Sequence, residues 1–210
     1  MSQTDLSREL YQSLWNAADI LRGQMEANEY KSYLLGLIFY KYLSDNILQA
    51  VCDNLDETFE SFQQAQLLYE ENFADADVRE DLIEVLNDEL GYVIEPSLTF
   101  TKLVQSIHEG TFQLESLAQS FRDIEQANEK FENLFEDIDL YAKKLGNTPQ
   151  KQNKTISEVM KQLNDLNVSG HAGDILGDAY EYLIGQFASD SGKKAGEFYT
   201  PQAVSHLMTQ

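Results

Sequence analysis

The middle of a helical pattern running from Asn28 to about Leu48 is apolar on nearly all sides, and its densest run, Tyr33 to Tyr40, is interrupted only by Gly36. A helix that is hydrophobic all round belongs inside a protein, not on its surface. The run is far too short to cross a bilayer, which takes about 20 apolar residues. It therefore predicts a central helix with other helices packed about it, the core of a bundle. At 210 residues and 42% hydrophobic, the chain can bury one good core, with a second partial domain beside it.

The flanking patterns agree. Leu6, Leu10, Leu14, Ala17, Ala18 and Leu21 recur at helical spacing, with Thr4 or Ser7 as candidate caps and Gly23 near the stop. Asn28 is the candidate cap of the central helix. Helical patterns follow over residues 53–71 and 77–90, the second ended by Gly91. Tyr92-Val93-Ile94 lies ahead of Glu95-Pro96 and is expected to be extended, since the residue before proline avoids the α region. Helices are expected over residues 99–108, 114–128 and 131–145. The plainest loop is Gly146-Asn147-Thr148-Pro149-Gln150, and a domain division is expected there, between residues 1–148 and 149–210. Two further helices, 155–166 and 174–188, follow it. Trp15 is expected in the core.

Charge is strongly one-sided over the whole chain. The chain has 36 acidic and 15 basic side chains, a net charge of −21, and DNA-binding surfaces need a basic footprint. The charges are segregated, however. Residues 53–95 hold fourteen acids and one base, Arg79; residues 143–161 hold five lysines and one acid, Glu158. The acidic stretch reads first as a solvated helix face. The lysines (Lys143, Lys144, Lys151, Lys154 and Lys161) read equally as a solvated linker or as contacts to DNA phosphate or to a neighbouring subunit. Cys52 is the single cysteine, so no intrachain disulfide is available, and no apolar leader opens the chain; both point to the cytoplasm. His108, His171 and His206 are far apart and make no metal-ligand pattern.

Near the end, a lysine-bearing Gly192–Gly196 loop feeds Glu197-Phe198-Tyr199-Thr200-Pro201-Gln202. Thr200-Pro201 is a helix start: a hydroxyl cap, then proline at the first helical position. The helical pattern that follows is still running at Gln210, with no stop signal. The stretch Asp174-Ile-Leu-Gly-Asp-Ala-Tyr-Glu-Tyr-Leu-Ile-Gly-Gln-Phe-Ala188 with Gly192-Lys-Lys-Ala-Gly-Glu-Phe-Tyr-Thr-Pro201 resembles the entry to the catalytic domain of type I restriction-modification methyltransferase subunits. Leu14-Trp-Asn-Ala-Ala-Asp-Ile-Leu-Arg-Gly23 and Leu35-Gly-Leu-Ile-Phe-Tyr-Lys-Tyr-Leu-Ser-Asp45 are similar to that family's helical N-terminal domain.

The resemblance implies a mainly α fold: an N-terminal helical bundle followed by the opening helices of a truncated Rossmann-like α/β methyltransferase domain. It implies S-adenosylmethionine as cofactor, with Glu197, Phe198, Tyr199, Thr200, Pro201 and Gln202 as the stretch contacting it. It implies N6-methylation of adenine in double-stranded DNA, with a specificity subunit, a second modification subunit and a restriction subunit as partners. The family's Asn/Asp-Pro-Pro-aromatic motif, which grips a flipped adenine, is absent, because prolines 96, 149 and 201 stand alone. No catalytic residue is assigned, since that motif is expected beyond Gln210. The chain is expected to be the front of a longer protein, and by itself it is expected to be inactive. The alternative from another class is an acidic all-α interaction module, or a DNA-mimic inhibitor without enzymatic activity.

Overall fold

The computed structural model describes residues 3–166, which are helical and contain no β-strand. The order is α1 (Gln3–Arg22), α2 (Ala27–Asn54), α3 (Phe62–Ala74), α4 (Ala76–Leu90), α5 (Phe100–Glu109), α6 (Leu114–Ala127) and α7 (Pro149–Asn164). Short 3-10 turns sit at Pro96–Leu98, Glu129–Phe131 and Lys143–Leu145.

α2 is the central helix that its composition requires. From Glu29 to Cys52 no residue is fully exposed. α1, α3, α4 and α5 pack around it, and α7 closes the bundle against α1, α5 and α6. Its cap is Glu26, not Asn28, and Glu29 returns a carboxylate oxygen to the Glu26 backbone N–H at 3.0 Å. Gly36 lets the 132–142 segment approach. A β-carbon there would collide with the Ile138 side chain.

The helix expected over residues 53–71 is in fact the end of α2, a loop and the start of α3. Asp56 adopts a positive φ of 53°, and Ser61 caps α3 by accepting from the Gln64 N–H at 3.2 Å. The helix expected over residues 131–145 does not form. Asn133 at φ 61° turns the chain into successive tight turns, and Phe135, Leu140 and Leu145 drop into the core at spacings no helix face provides. Elsewhere the punctuation acts as its residues predict. Gly91 ends α4 in the left-handed conformation, and Thr99 caps α5.

The irregular stretch between α4 and α5 buries backbone carbonyls, and side chains satisfy them, as burial requires. Tyr69 donates to the Ile94 carbonyl at 3.0 Å, Gln66 to the Pro96 carbonyl at 2.8 Å, and Tyr40 to the Leu98 carbonyl. Tyr92 of that stretch donates in turn to the Leu43 carbonyl of α2 at 2.9 Å.

α7 starts at Pro149, six residues earlier than expected, behind a Thr148 cap. It contributes Ile156, Val159, Met160 and Leu163 to the same core as α1 and α2. The helical unit therefore runs past residues 146–150, where the sequence placed a division. Trp15 lies at the surface, 38% exposed, with the Arg22 guanidinium 4.3 Å from its ring centre. Its place in α1, between buried Leu14 and Ala17, turns it outward.

Candidate functional site

Glu197, Phe198, Tyr199, Thr200, Pro201 and Gln202 lie outside the described residues. So do the expected helix 174–188 and Gln210, beyond which the motif that grips the target base is expected. The five lysines are described, and they fall into two groups.

The turn Lys143–Leu145 is fastened to the first turns of α7. Gln152 is buried and donates to the Tyr141 carbonyl at 2.8 Å and the Ala142 carbonyl at 3.3 Å. Thr155 donates to the Leu145 carbonyl at 2.8 Å. Lys144 is engaged in an ion pair with Glu29 at the start of α2, which holds the Glu29 carboxyl below its ordinary range. Lys161 pairs with Glu158 at 3.0 Å, one turn away on α7. Lys143, Lys151 and Lys154 are exposed and, among the described residues, have no ion-pair partner.

The acids behave as the composition suggested. On α4, Asp77, Glu80, Asp81, Glu84, Asp88 and Glu89 all face solvent, while Leu82 and Leu86 face the core. That is a solvated helix face.

One charged cluster was not foreseen. Lys41 and Asp45, one turn apart on α2, are both sealed from solvent and lie 2.8 Å apart. The Lys41 ammonium also sits 5.0 Å from the Phe62 ring centre and 5.2 Å from that of Phe100, so aromatic faces complete its surroundings. Burial pushes the Asp45 carboxyl up to about 6, against the pull of Lys41. The sequence signal was available: a lysine and an aspartate at i and i+4 in a stretch otherwise apolar on all sides. Enclosed on every side, the pair can fix helix packing but cannot reach a substrate.

Two small concavities open on the described residues. One, of about 230 Å³, is lined by Cys52, Glu57, Gln64 and Leu68; another, of about 190 Å³, by Phe121, Phe135, Ile138 and Tyr141. Small-molecule sites run from about 300 to 1,000 Å³. Among the described residues, no group of three or more His, Cys, Asp or Glu side chains is placed to hold a metal.

Residues 10–163 match the HsdM N-terminal domain, and residues 171–210 match the N-6 DNA methylase family. The type I restriction enzyme MpnII methylase subunit of Mycoplasma pneumoniae is 29% identical over 99% of this chain and 40% of its own length. The MjaIX methylase subunit of Methanocaldococcus jannaschii is 27% identical over 97% of this chain and 35% of its own length. The crystal structure of a type I restriction-modification methyltransferase subunit from Streptococcus thermophilus superposes with a TM-score of 0.89. It is 63% identical and covers 97% of this chain and 43% of its own. The chain thus spans about two fifths of the relatives it matches. Its helical bundle and the start of a methylase domain behind it place the chain in the HsdM family of type I restriction-modification methylase subunits, as their N-terminal portion.

Proposed function

We propose that the protein is the front of a modification subunit that transfers a methyl group from S-adenosylmethionine to adenine N6 within a specific DNA sequence. In this reading it works in the cytoplasm with a specificity subunit, a second modification subunit and a restriction subunit. The helical domain serves assembly and closure around double-stranded DNA, and the methyltransferase domain begins after α7. The carrying observation is the order of the matches: an HsdM N-terminal domain to residue 163, then an N-6 DNA methylase from residue 171.

The expected cofactor stretch suits its role chemically. Phe198 and Tyr199 offer rings that can pack on the adenine or the sulfonium of the cofactor. The Thr200 hydroxyl and the helix start that the sequence leads one to expect at Thr200-Pro201 suit the methionine carboxylate. Glu197 and Gln202 flank these groups. The residues that grip the target amine are expected beyond Gln210, so the chain alone should transfer no methyl group.

In the full-length protein, Tyr199→Ala and Thr200→Ala should each weaken S-adenosylmethionine binding in calorimetry while the helical domain melts unchanged. Equal affinity in both variants would leave the segment a purely structural helix start. Transfer of labelled methyl to DNA by the 210-residue chain would overturn the placement of the chemistry beyond it.

A further inference from the structure

We propose that Lys143, Lys151 and Lys154 form one contact for the phosphate backbone of duplex DNA, at the corner where the turn Lys143–Leu145 meets the start of α7. The proposal rests on the DNA-modifying role argued above and adds the surface by which the helical domain would touch the substrate.

Three observations select this corner. The first is convergence. Gln152, next to Lys151, bonds to the carbonyl of Ala142, next to Lys143, and Lys154 follows Lys151 one turn along the same helix. Gly146 lies so close that a β-carbon on it would strike the Lys151 side chain and backbone. The three stems thus rise from backbone fixed by buried Leu145, Gln152 and Ile156, and little ordering remains to oppose binding.

The second is selection by pairing. Of the five lysines in residues 143–161, Lys144 and Lys161 are neutralised by Glu29 and Glu158. The other three carry uncompensated charge into solvent. The chain as a whole is acidic, at a net −21, while residues 143–161 hold one acid, Glu158. A polyanion approaching this protein is repelled by the α4 face and admitted here.

The third is the kind of cation. An ammonium is a compact point charge without the planar fork that reads base edges. Lysines on a rigid corner suit backbone phosphates, which set position on the duplex without reading sequence.

The test uses the full-length subunit in the complex that binds DNA. K143Q/K151Q/K154Q is compared with K144Q/K161Q and the parent, by salt titration against a cognate duplex and an unrelated duplex of equal length. Removing one lysine–phosphate interaction should make the slope of log affinity against log salt shallower by about 0.9. The triple variant, which removes three, should show a slope shallower by about 2.7 on both duplexes, and K144Q/K161Q should keep the parent slope. Parallel slopes with equal affinity in the triple variant would overturn the corner while the methylase reading stands. Loss of complex assembly by the triple variant would show that the corner faces a protein subunit, and would equally overturn it. A parent complex that neither binds nor methylates DNA would overturn the functional reading and this proposal with it.

Discussion

Lys41 and Asp45 meet at 2.8 Å on the central helix, both shut away from water, with the Lys41 ammonium also near the rings of Phe62 and Phe100. Such a pair is weak evidence for stability, because desolvating two charges offsets much of their attraction. Lys41→Met alone leaves a buried carboxylate without its counter-ion and should cost about 3–5 kcal/mol. Lys41→Met with Asp45→Leu should recover most of that loss. Urea melts of the three chains decide it, and a double variant as unstable as the single one would mean the pair itself is required.

The same carboxyl sets a pH dependence. Burial raises Asp45 from the ordinary 3.8 to about 6, so the folded state holds its proton more tightly than the unfolded state does. Stability from this group is full below about pH 4 and is lost as the pH rises through 6. Asp45→Asn mimics the protonated form and lacks this titration. The stability of the parent relative to Asp45→Asn should therefore fall mainly between about pH 4 and 6 and level off by about pH 7. A difference that grows with pH would show that Lys41 outweighs burial.

Gly36 and Ile138 report how the non-helical segment 132–142 is seated on α2. A β-carbon at Gly36 meets Ile138 Cδ1, with Cγ1 at 3.2 Å and the Phe135 ring edge at 3.7 Å. Gly36→Ala gains about 1 kcal/mol of helix propensity, but overpacking costs about 1–3 kcal/mol. The variant should be destabilised on balance. Ile138→Val removes the colliding methyl at about 0.5–1.5 kcal/mol. The double variant should be more stable than the sum of the singles by at least about 0.5 kcal/mol, and strict additivity would show that the two side chains do not compete for space.

What the sequence revealed and what it hid have physical causes. The all-round apolar run could only be a core helix, and Gly91 and Thr99 act through their own backbone, so these were legible locally. Phe131, Leu134, Phe135 and Ile138 are spaced i, i+3, i+4 and i+7, the signature of a helix face, yet tight turns place them. Asn133 in the left-handed region and the carboxylate of Glu125, accepting from the Phe135 N–H at 2.8 Å, override the pattern. That carboxylate is tertiary information, invisible in a local window. The pairing of Lys144 with Glu29, across more than a hundred residues, was likewise beyond any spacing rule. Because of it, five lysines that looked equivalent in sequence are not equivalent in the fold.

Cys52 lies against the acidic loop that follows α2. Its thiol is buried, and burial, then Asp53 and Glu57, push its pKa upward. The thiolate is the reactive form, so alkylation in the native state at about pH 8 should be much slower than for an exposed cysteine. In urea it should rise to the exposed rate along the same transition as helix loss. Rapid native labelling would show that the loop at residues 55–61 opens on its own.

Gly146 joins the turn Lys143–Leu145 to α7 at φ +155°, a conformation that side chains avoid. A β-carbon there would strike the Lys151 β-carbon and lie 2.9 Å from the Lys151 carbonyl carbon and 3.0 Å from the Gln152 nitrogen. The backbone of α7 cannot yield as a side chain could, so Gly146→Ala should cost about 1–3 kcal/mol of local strain. The sequence alone would mark residues 146–152 as the first place for a protease to cut. The fold places buried Leu145 and Gln152 on either side and fastens the turn through Gln152 and Thr155, which should protect it, because cleavage needs the backbone to open. Trypsin should therefore cut the parent slowly after Lys143, Lys144 and Lys151, and Gly146→Ala should be cut there first. Mass spectrometry of early fragments reads the order directly. Equal early cleavage of parent and variant at these lysines would mean that the Gln152 and Thr155 bonds do not hold the turn, and the rigid corner proposed for phosphate binding would lose its footing.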